Sequence, residues 1–517
     1  MARALSAELG KLSRHAADLA VAGRHHEAVA AWERVRRRAP DNADVAAGLG
    51  AALLDAGRNE AARDWLVSAC QRYPRHVLLL RLQAQALMRL HQRRPAIGAL
   101  FTAIDLEPEA VAVNADLARA LYLDAAAAVG LPYAVFAFNA EPTFETAATL
   151  TSILLDLGYR EEPLKVIARA FRAGVDRASM FMLQSLVLQF LDRDEEGVAA
   201  AREAVACAPD DSRIRFNLAA ALLLEGDYTA EAWALYESRA GFLNMKHWPQ
   251  VRSCWTGGDI AGRTILLVAE QGLGDTLQFV RYVPLVAARG ARVVLVVQAP
   301  LVSLLQGTPG ADMVVASGQP LPAFDLYCPL LSLPGVFGTT LATVPPVVPY
   351  AMRFAPAPGR PCLQVGLVWA GNPAFIEDRR RSISPALLAP LQDVPGVEFH
   401  NLQLGAETLP LPGMHDLISG TGDFAETARR VASLDLVIAV DTSVAHLAAT
   451  MGKPVWLLAR HQGCWRWLRE QADTPWYPSM RIYRQRQSND WAPVIREVCG
   501  ELEVMAGSGR EATILAA

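Results

Sequence analysis

Four prolines, Pro40, Pro74, Pro108 and Pro142, stand 34 residues apart, and this period constrains the first half of the chain more than any other feature. Ala28, Ala62 and Ala96 keep the same spacing, as do Gly23 and Gly57. A fixed period of this length marks stacked units that cannot bury their apolar faces alone. In AGRHHEAVAAWERVRRRAPDN the glycine ends one helix, the small alanine lets the second helix approach its partner, and the proline stops it. The frame then weakens. Gly130 stands at the alanine position, and after Pro142 the period slips. DLGYREEPLKVIARAF, FLDRDEEGVAAAREAVACAPDD and LLEGDYTAEAWALYESR still read as degenerate hairpins of the same kind.

This pattern resembles the tetratricopeptide repeat, most specifically over residues 10–110. It predicts a helical solenoid over 1–240, regular to about 142 and degenerate after. Such arrays present a concave face on which a partner peptide can lie, so the implied task is protein recognition. The alternative is an array that only supports the second half or makes a dimer contact.

Near Trp248, Trp255, Gly257 and Gly258 the helical pattern ends. TILLVA, ARVVLVV, CLQVGLVWA, LDLVIAV and PVWLLA then alternate with helical segments, which predicts parallel sheets covered on both faces. The proline-rich GTTLATVPPVVPYAMRFAPAPGRP cannot pair as a central strand and reads as a linker between lobes at 245–355 and 356–505. Two such lobes imply a cleft. WAPVIREVCGELEV has helical spacing, and 506–517 reads as a tail.

Bulk properties exclude several classes. A net charge of −4 gives no general attraction for nucleic acid or an anionic membrane. Seven scattered cysteines without a CxxC pair read as reduced thiols and not as a zinc site. No apolar run is long enough to span a bilayer, so a cytoplasmic protein without membrane insertion is expected.

The chemistry concentrates in two turns. In LDLVIAVDTSVAHLAATMGKPVWLLA a buried strand gives way to Asp441, Thr442 and Ser443 and then to a helix. Unpaired N–H groups at a helix start favour a phosphate, and open α/β sheets place ligands at strand ends. Ordinary capping by Asp441 or Thr442, with His446 packed on the sheet, is the competing explanation. In the first lobe TILLVA runs into EQGLGD, where Gln271, Gly272 and Gly274 form a tight turn and Asp275 opens a helix. Asp275 is either an N-terminal cap or a carboxylate that accepts a proton from an attacking hydroxyl. Leu277 holds the third glycine position of a dinucleotide fingerprint, and Gln298 stands where its acid belongs, so NAD binding is disfavoured.

Taken in order, AEQGLGDTLQFVRYVPLVAARG, VGLVWAGNP, DRRRSI, LDLVIAVDTSVAHLAATMGKPVW and TPWYPSMRIYRQ, behind helical repeats, resemble the bacterial repeat-linked glycosyltransferases. Their catalytic half is similar to lipopolysaccharide heptosyltransferases of the twin-Rossmann GT-B fold. The resemblance implies that Asp275 is the base and that Asp441, Thr442, Ser443, Val444, Ala445 and His446 hold the sugar and diphosphate of a nucleotide-sugar donor. Arg379, Arg380 or Arg381 would steady the leaving phosphate, with Arg381 nearest the RSI element, and Asn372 would bond the donor or form a turn. It further implies an inverting transfer with no metal and no cofactor beyond the donor, and a terminal helix that crosses back to the first lobe. Flagellin-modifying enzymes fall within the resemblance, which makes flagellin the implied protein acceptor. Two alternatives remain: a repeat scaffold with a degenerate transferase half, and a transferase acting on a glycan. Asp192 and Asp194 form an Asp-x-Asp pair, but in FLDRDEEG they read as a solvated turn between helices. Trp465 and Trp467 read as core residues, and Arg466 as a weak phosphate contact.

Overall fold

A computed structural model describes residues 2–242, 253–348, 361–373, 375, 378–406 and 408–515. The expected composition switch and linker fall partly at 243–252 and 349–360, outside the described residues. The chain divides into two compact units, Met1–Leu183 and Gln184–Ala517.

Among the described residues the first half holds fourteen α-helices: α1 (Ala2–Val21), α2 (His25–Arg38), α3 (Ala43–Asp55), α4 (Asn59–Arg72), α5 (Val77–Arg89), α6 (Arg93–Leu106), α7 (Val111–Leu123), α8 (Ala127–Ala140), α9 (Phe144–Asp156), α10 (Glu162–Arg172), α11 (Arg177–Phe190), α12 (Asp194–Cys207), α13 (Ser212–Leu224) and α14 (Ala230–Tyr236). Each periodic proline stands two residues beyond a helix end: Pro40 after Arg38, Pro74 after Arg72, Pro108 after Leu106, Pro142 after Ala140. The turn inside each hairpin takes a left-handed residue, and this feature outlasts the sequence signal. Positive φ falls at Gly23, Gly57, His91, Ala125, Gly158, Asp192 and Gly226. The interval is 34 residues except for one step of 33, between Ala125 and Gly158. The slip after Pro142 is therefore a single deleted residue, after which the hairpin geometry resumes. Ala28, Ala62 and Ala96 are fully buried, and a Cβ on Gly130 would lie 3.2 Å from the Ala118 carbonyl oxygen. That contact explains why the alanine position accepts glycine.

The second half carries two sheets. The first lobe contains β1 (Thr264–Val268), α15 (Leu273–Phe279), α16 (Val283–Ala287), β2 (Arg292–Val297), α17 (Val302–Leu305), β3 (Met313–Ala316), β4 (Leu326–Pro329) and α18 (Leu333–Val336). The second contains β5 (Leu363–Val368), α19 (Asp378–Arg381), β6 (Val397–Asn401), β7 (His415–Asp416), α20 (Phe424–Ala432), β8 (Leu436–Val440), α21 (Ser443–Thr450), β9 (Val455–Ala459), β10 (Met480–Arg484) and α22 (Ala492–Leu515). Among the described residues the strands of both sheets pair in parallel, in the orders β3-β2-β1-β4 and β10-β9-β8-β5-β6-β7. The strand order reverses beside β1 in one sheet and between β5 and β8 in the other. Such reversals open a crevice at the carboxyl ends of the strands.

Two expectations need correction. The terminal helix α22 packs on the second lobe, where Val494, Ile495, Val498 and Leu502 share a core with Val365, Leu388 and Leu391. It also runs to Leu515, so most of the expected tail continues a helix. These four apolar side chains find their partners within the helix's own lobe.

The last helices belong with the α/β half. Arg239, just after α14, is fully buried and bonds Glu270 through Nε (3.2 Å) and Nη2 (2.7 Å). Its Nη1 donates to Glu237 (2.6 Å), and Ser332 links Arg239 to Glu237. Burial raises the Glu270 carboxyl above its ordinary value, and the charge and two bonds of Arg239, with the Leu331 N–H, offset only part of that rise. Glu270 immediately precedes the Gln271–Asp275 turn, so this cluster fixes where that turn begins. Removing one partner strands a buried charge. Arg239→Met is expected to destabilise the Gln184–Ala517 unit by about 3–5 kcal/mol in urea denaturation, and Arg239→Met with Glu270→Leu to recover most of the loss.

Candidate active site

Both turns singled out in the sequence lie at strand-order reversals. β1 leads through Glu270 and Gln271 into α15, and β8 leads through Asp441 into α21. Gln271 is exposed and left-handed (φ 58°), and its carbonyl accepts from Gln298 Nε2 at 3.3 Å. Gln298 also accepts from the Thr276 hydroxyl at 2.9 Å. The residue that spoils the dinucleotide fingerprint is thus a brace for the turn.

Asp275 caps its own helix: the Gly272 N–H donates to Oδ2 at 2.9 Å. The other oxygen, Oδ1, pairs with Arg466 Nη2 from the second lobe at 2.5 Å. Asp275 remains 20% exposed. Four lone-pair sites are available on a carboxylate, so these two contacts leave acceptor capacity for a hydroxyl proton.

The two turns touch. A Cβ on Gly274 would sit 2.6 Å from His446 Cδ2, so glycine is required for α15 and α21 to approach this closely. His446 is buried; its Nδ1 lies 2.8 Å from the Tyr477 hydroxyl and its Nε2 3.7 Å from Asp441 Oδ1. Its ring leans on Trp467 with centroids 5.3 Å apart. Burial works to raise the Asp441 carboxyl, but His446, Trp467 and Arg381 outweigh it and hold the group well below the usual carboxylate range. Asp441 is therefore an anion at neutral pH.

Thr442 occupies the N-cap position of α21 but makes no side-chain capping bond. Its hydroxyl oxygen is buried without a hydrogen-bond partner. Ordinary capping by Thr442 is thereby ruled out in this structure. A ligand oxygen would satisfy both that hydroxyl and the first N–H groups of the helix. Ser443 and Val444 are half-buried beside it, and Ala445 packs inward.

Two of the three arginines have different surroundings. Arg380 is buried with its guanidinium 5.1 Å from the Phe190 ring, at the end of α11. Arg381 instead donates from Nη1 to the Asp441 carbonyl at 2.8 Å and is held by Asp378 through Nε (3.1 Å) and Nη2 (2.7 Å). A Cβ on Gly371 would collide with this pair. Asn372 follows β5 on a turn, its carbonyl accepting from the Phe375 N–H at 2.9 Å.

The turn is exposed at Asp192 and Arg193, as read, but its two carboxylates are not free in solvent and Asp194 is largely covered. Arg469 of the second lobe bonds Asp192 at 3.1 Å and Asp194 at 2.6 Å. Among the described residues no three His, Cys, Asp or Glu side chains gather in an arrangement that could hold a metal ion. Trp465 and Trp467 are core residues, as expected. Asp378 and Tyr477 fall within DRRRSI and TPWYPSMRIYRQ, but neither was given a role from the sequence. Asp378 stands three residues before Arg381, a visible helical pairing distance, whereas nothing in the sequence joins Tyr477 to His446.

Comparison with known proteins adds to this geometry. Residues 411–459 match glycosyltransferase family 9 (heptosyltransferase), a segment that includes β8, the Asp441 turn and β9. The chain is 27% identical over 413 residues to Protein FlbA of Caulobacter vibrioides, an alignment that spans 70% of this chain and 67% of that protein. A tetratricopeptide repeat protein from Parabacteroides merdae aligns at 11% identity and a TM-score of 0.40, covering 46% of this chain and 94% of its own. A second, from Thermus thermophilus, aligns at 18% identity and a TM-score of 0.30, covering 42% and 99%. At those scores the repeats stand on their own helix pairs and turns. The second half carries a heptosyltransferase-like segment behind helical repeats, which supports glycosyl transfer.

Two measurements probe the contact between the turns. Gly274→Ala is expected to cost about 1–3 kcal/mol of stability, because the new methyl must displace the buried His446 ring. A carboxyl with a depressed folded pKa stabilises the fold above its unfolded pKa and loses that contribution as pH falls through the folded value. The urea midpoint of the wild type should therefore exceed that of Asp441→Asn at about pH 5, and the margin should narrow as pH falls below about 4.

Proposed function

We propose that the chain is a twin-Rossmann (GT-B) glycosyltransferase that moves a sugar from a nucleotide-sugar donor to a protein acceptor engaged by the helical repeats. The observation that carries this reading is the direct approach of Gly274 to His446, which puts a carboxylate-bearing helix start and a phosphate-suited helix start side by side. The family match over 411–459 supports glycosyl transfer; the nucleotide-sugar donor, the protein acceptor, the stereochemistry and the freedom from metal are our inference.

In the reaction the acceptor hydroxyl attacks the anomeric carbon as Asp275 takes its proton. The anomeric carbon–oxygen bond breaks with its electron pair moving to the phosphate, and the nucleotide leaves. Charge grows on the phosphate oxygen opposite Asp275. The N–H groups at the start of α21, the unpartnered Thr442 hydroxyl and Arg381 are suited to stabilise it. These donors would replace a divalent ion, so transfer in chelator is expected. Attack opposite the leaving group inverts the anomeric centre. Asp441, with its negative charge, suits sugar hydroxyls better than phosphate. Flagellin is the acceptor we infer from the resemblance to repeat-linked transferases. A nucleotide-sugar donor places the reaction in the cytoplasm on this reading, and no helix among the described residues is long and apolar enough to cross a membrane.

Calorimetric titration with UDP, GDP, ADP, dTDP and CMP tests the donor site. One nucleotide should bind selectively, and Asp441→Ala or Thr442→Ala should weaken it at least about tenfold. With the matching nucleotide sugar and purified flagellin, Asp275→Asn should keep nucleotide affinity and lose about 100-fold or more in transfer rate. A folded protein that binds none of the five would return the balance to a scaffold.

A further inference from the structure

Arg466 has no part in the transfer step described above, yet it is among the most elaborately held side chains in the molecule. It is 7% exposed, on a segment of the second lobe, and its guanidinium enters the first. Nη2 pairs with Asp275 at 2.5 Å, Nε donates to Gln278 at 2.5 Å, and Nη1 contacts the Cys464 sulfur at 3.0 Å. The same cation lies 4.5 Å from the Trp465 ring and 5.5 Å from Phe279. Burial opposes its charge, and Cys464 and Asp275 more than restore it.

The segment behind it, residues 460–469, is fastened at both ends. Arg469 grips the α11–α12 turn through the Gln189 carbonyl (2.8 Å), Asp192 (3.1 Å) and Asp194 (2.6 Å). His461 Nε2 reaches the Phe190 carbonyl in the same turn at 3.0 Å. Between them, Arg484 bonds the carbonyls of Trp467 (2.9 Å) and Leu468 (2.8 Å), and Thr474 bonds that of Arg466 (2.9 Å). Leu468 is left-handed (φ 49°), a state that a leucine holds only where its surroundings enforce it.

We propose that Arg466 is the positioning residue for Asp275, and that Arg469 and the α11–α12 turn set Arg466 in place as a strap across the two lobes. As a statement about catalysis, the proposal rests on Asp275 being the base of the transfer reaction. A carboxylate on a short helix start with one backbone donor retains freedom about its side-chain bonds. A buried cation fixed at the other end removes that freedom, and orientation of a reacting group controls rate far more than affinity. Lysine could reach Asp275 but could not hold Gln278 and Cys464 at once.

The strap can be tested without substrate. In full-length protein, hydrogen exchange over 272–279 should accelerate about tenfold in Arg466→Gln and measurably in Arg469→Gln, with β1 unchanged. Adding Arg469→Gln to Arg466→Gln should add nothing further, because the first acts through the second. Asp194→Asn serves where Arg466→Gln does not fold, and should show the Arg469→Gln effect. In the transfer assay, with UDP-glucose, GDP-mannose, ADP-heptose, dTDP-rhamnose and CMP-N-acetylneuraminate as donors, Arg466→Gln should lose about tenfold or more in kcat with nucleotide affinity unchanged within about twofold. Arg466→Lys should recover part of that loss. Unchanged exchange over 272–279 in Arg469→Gln, additive effects in the double variant, or wild-type kcat in Arg466→Gln each overturn the strap. Exchange coupling without any wild-type transfer would leave the strap standing and remove the transfer reading.

Discussion

The second half of this protein depends on two helix starts that meet where one of them has no side chain. Gly274 leaves room for the His446 ring, and a larger residue there would have to displace that ring. Everything with chemical potential lies around that contact: Asp275 one residue away, Asp441 and Thr442 at the facing helix start, Arg381 on the Asp441 carbonyl. Each turn arrives there because strand order reverses beside its strand, so the topology supplies the crevice before any polar residue is chosen.

Such a contact between polar helix ends is costly to bury, and the charges here are arranged to limit that cost. Asp441 stays ionised because His446, Trp467 and Arg381 surround it. Asp275 keeps partial solvent access and takes one backbone and one arginine partner. Thr442 is left with a buried, unpartnered oxygen, at the position where a bound phosphate or sugar would supply the missing bond. A buried hydroxyl left unsatisfied at a helix start is a place where a ligand oxygen gains a bond that the fold itself does not supply.

The architecture was legible because the first half repeats a fixed spacing and the second alternates apolar runs with helical segments. Helix stops at 34-residue intervals fixed the hairpins, and apolar runs separated by helical patterns announced the parallel sheets. What escaped was set by backbone conformation or by distant partners. His91 and Ala125 take the left-handed turn that Gly23 and Gly57 advertise, so the repeat looked weaker in sequence than it is in space. Asp192 and Asp194 sit in a turn whose local composition reads as solvent-exposed, and their partner Arg469 lies 277 and 275 residues away. Charge pairing over that distance leaves no trace in a single sequence. Of the site, Asp275 and the Asp441 turn were visible as motifs, Arg381 as one of three neighbours, and Tyr477 only as part of the TPWYPSMRIYRQ stretch, with no role attached.

The buried charges also explain why the last helices cannot be read as a detachable end of the repeats. Arg239 beyond α14 bonds Glu270 at the entrance to the Asp275 turn, and the α11–α12 turn holds the segment that carries Arg466 to Asp275 itself. The first lobe is thus gripped near the Asp275 carboxylate from two directions by elements that descend from the helical pattern. Hydrophobic contact alone would fix these helices to the sheet without fixing their angle, since it is non-directional. Paired guanidinium and carboxylate groups define both distance and orientation, at the cost that neither partner can be lost singly. A repeat that ends in such contacts has exchanged the interchangeability of its neighbours for a defined place beside the candidate site.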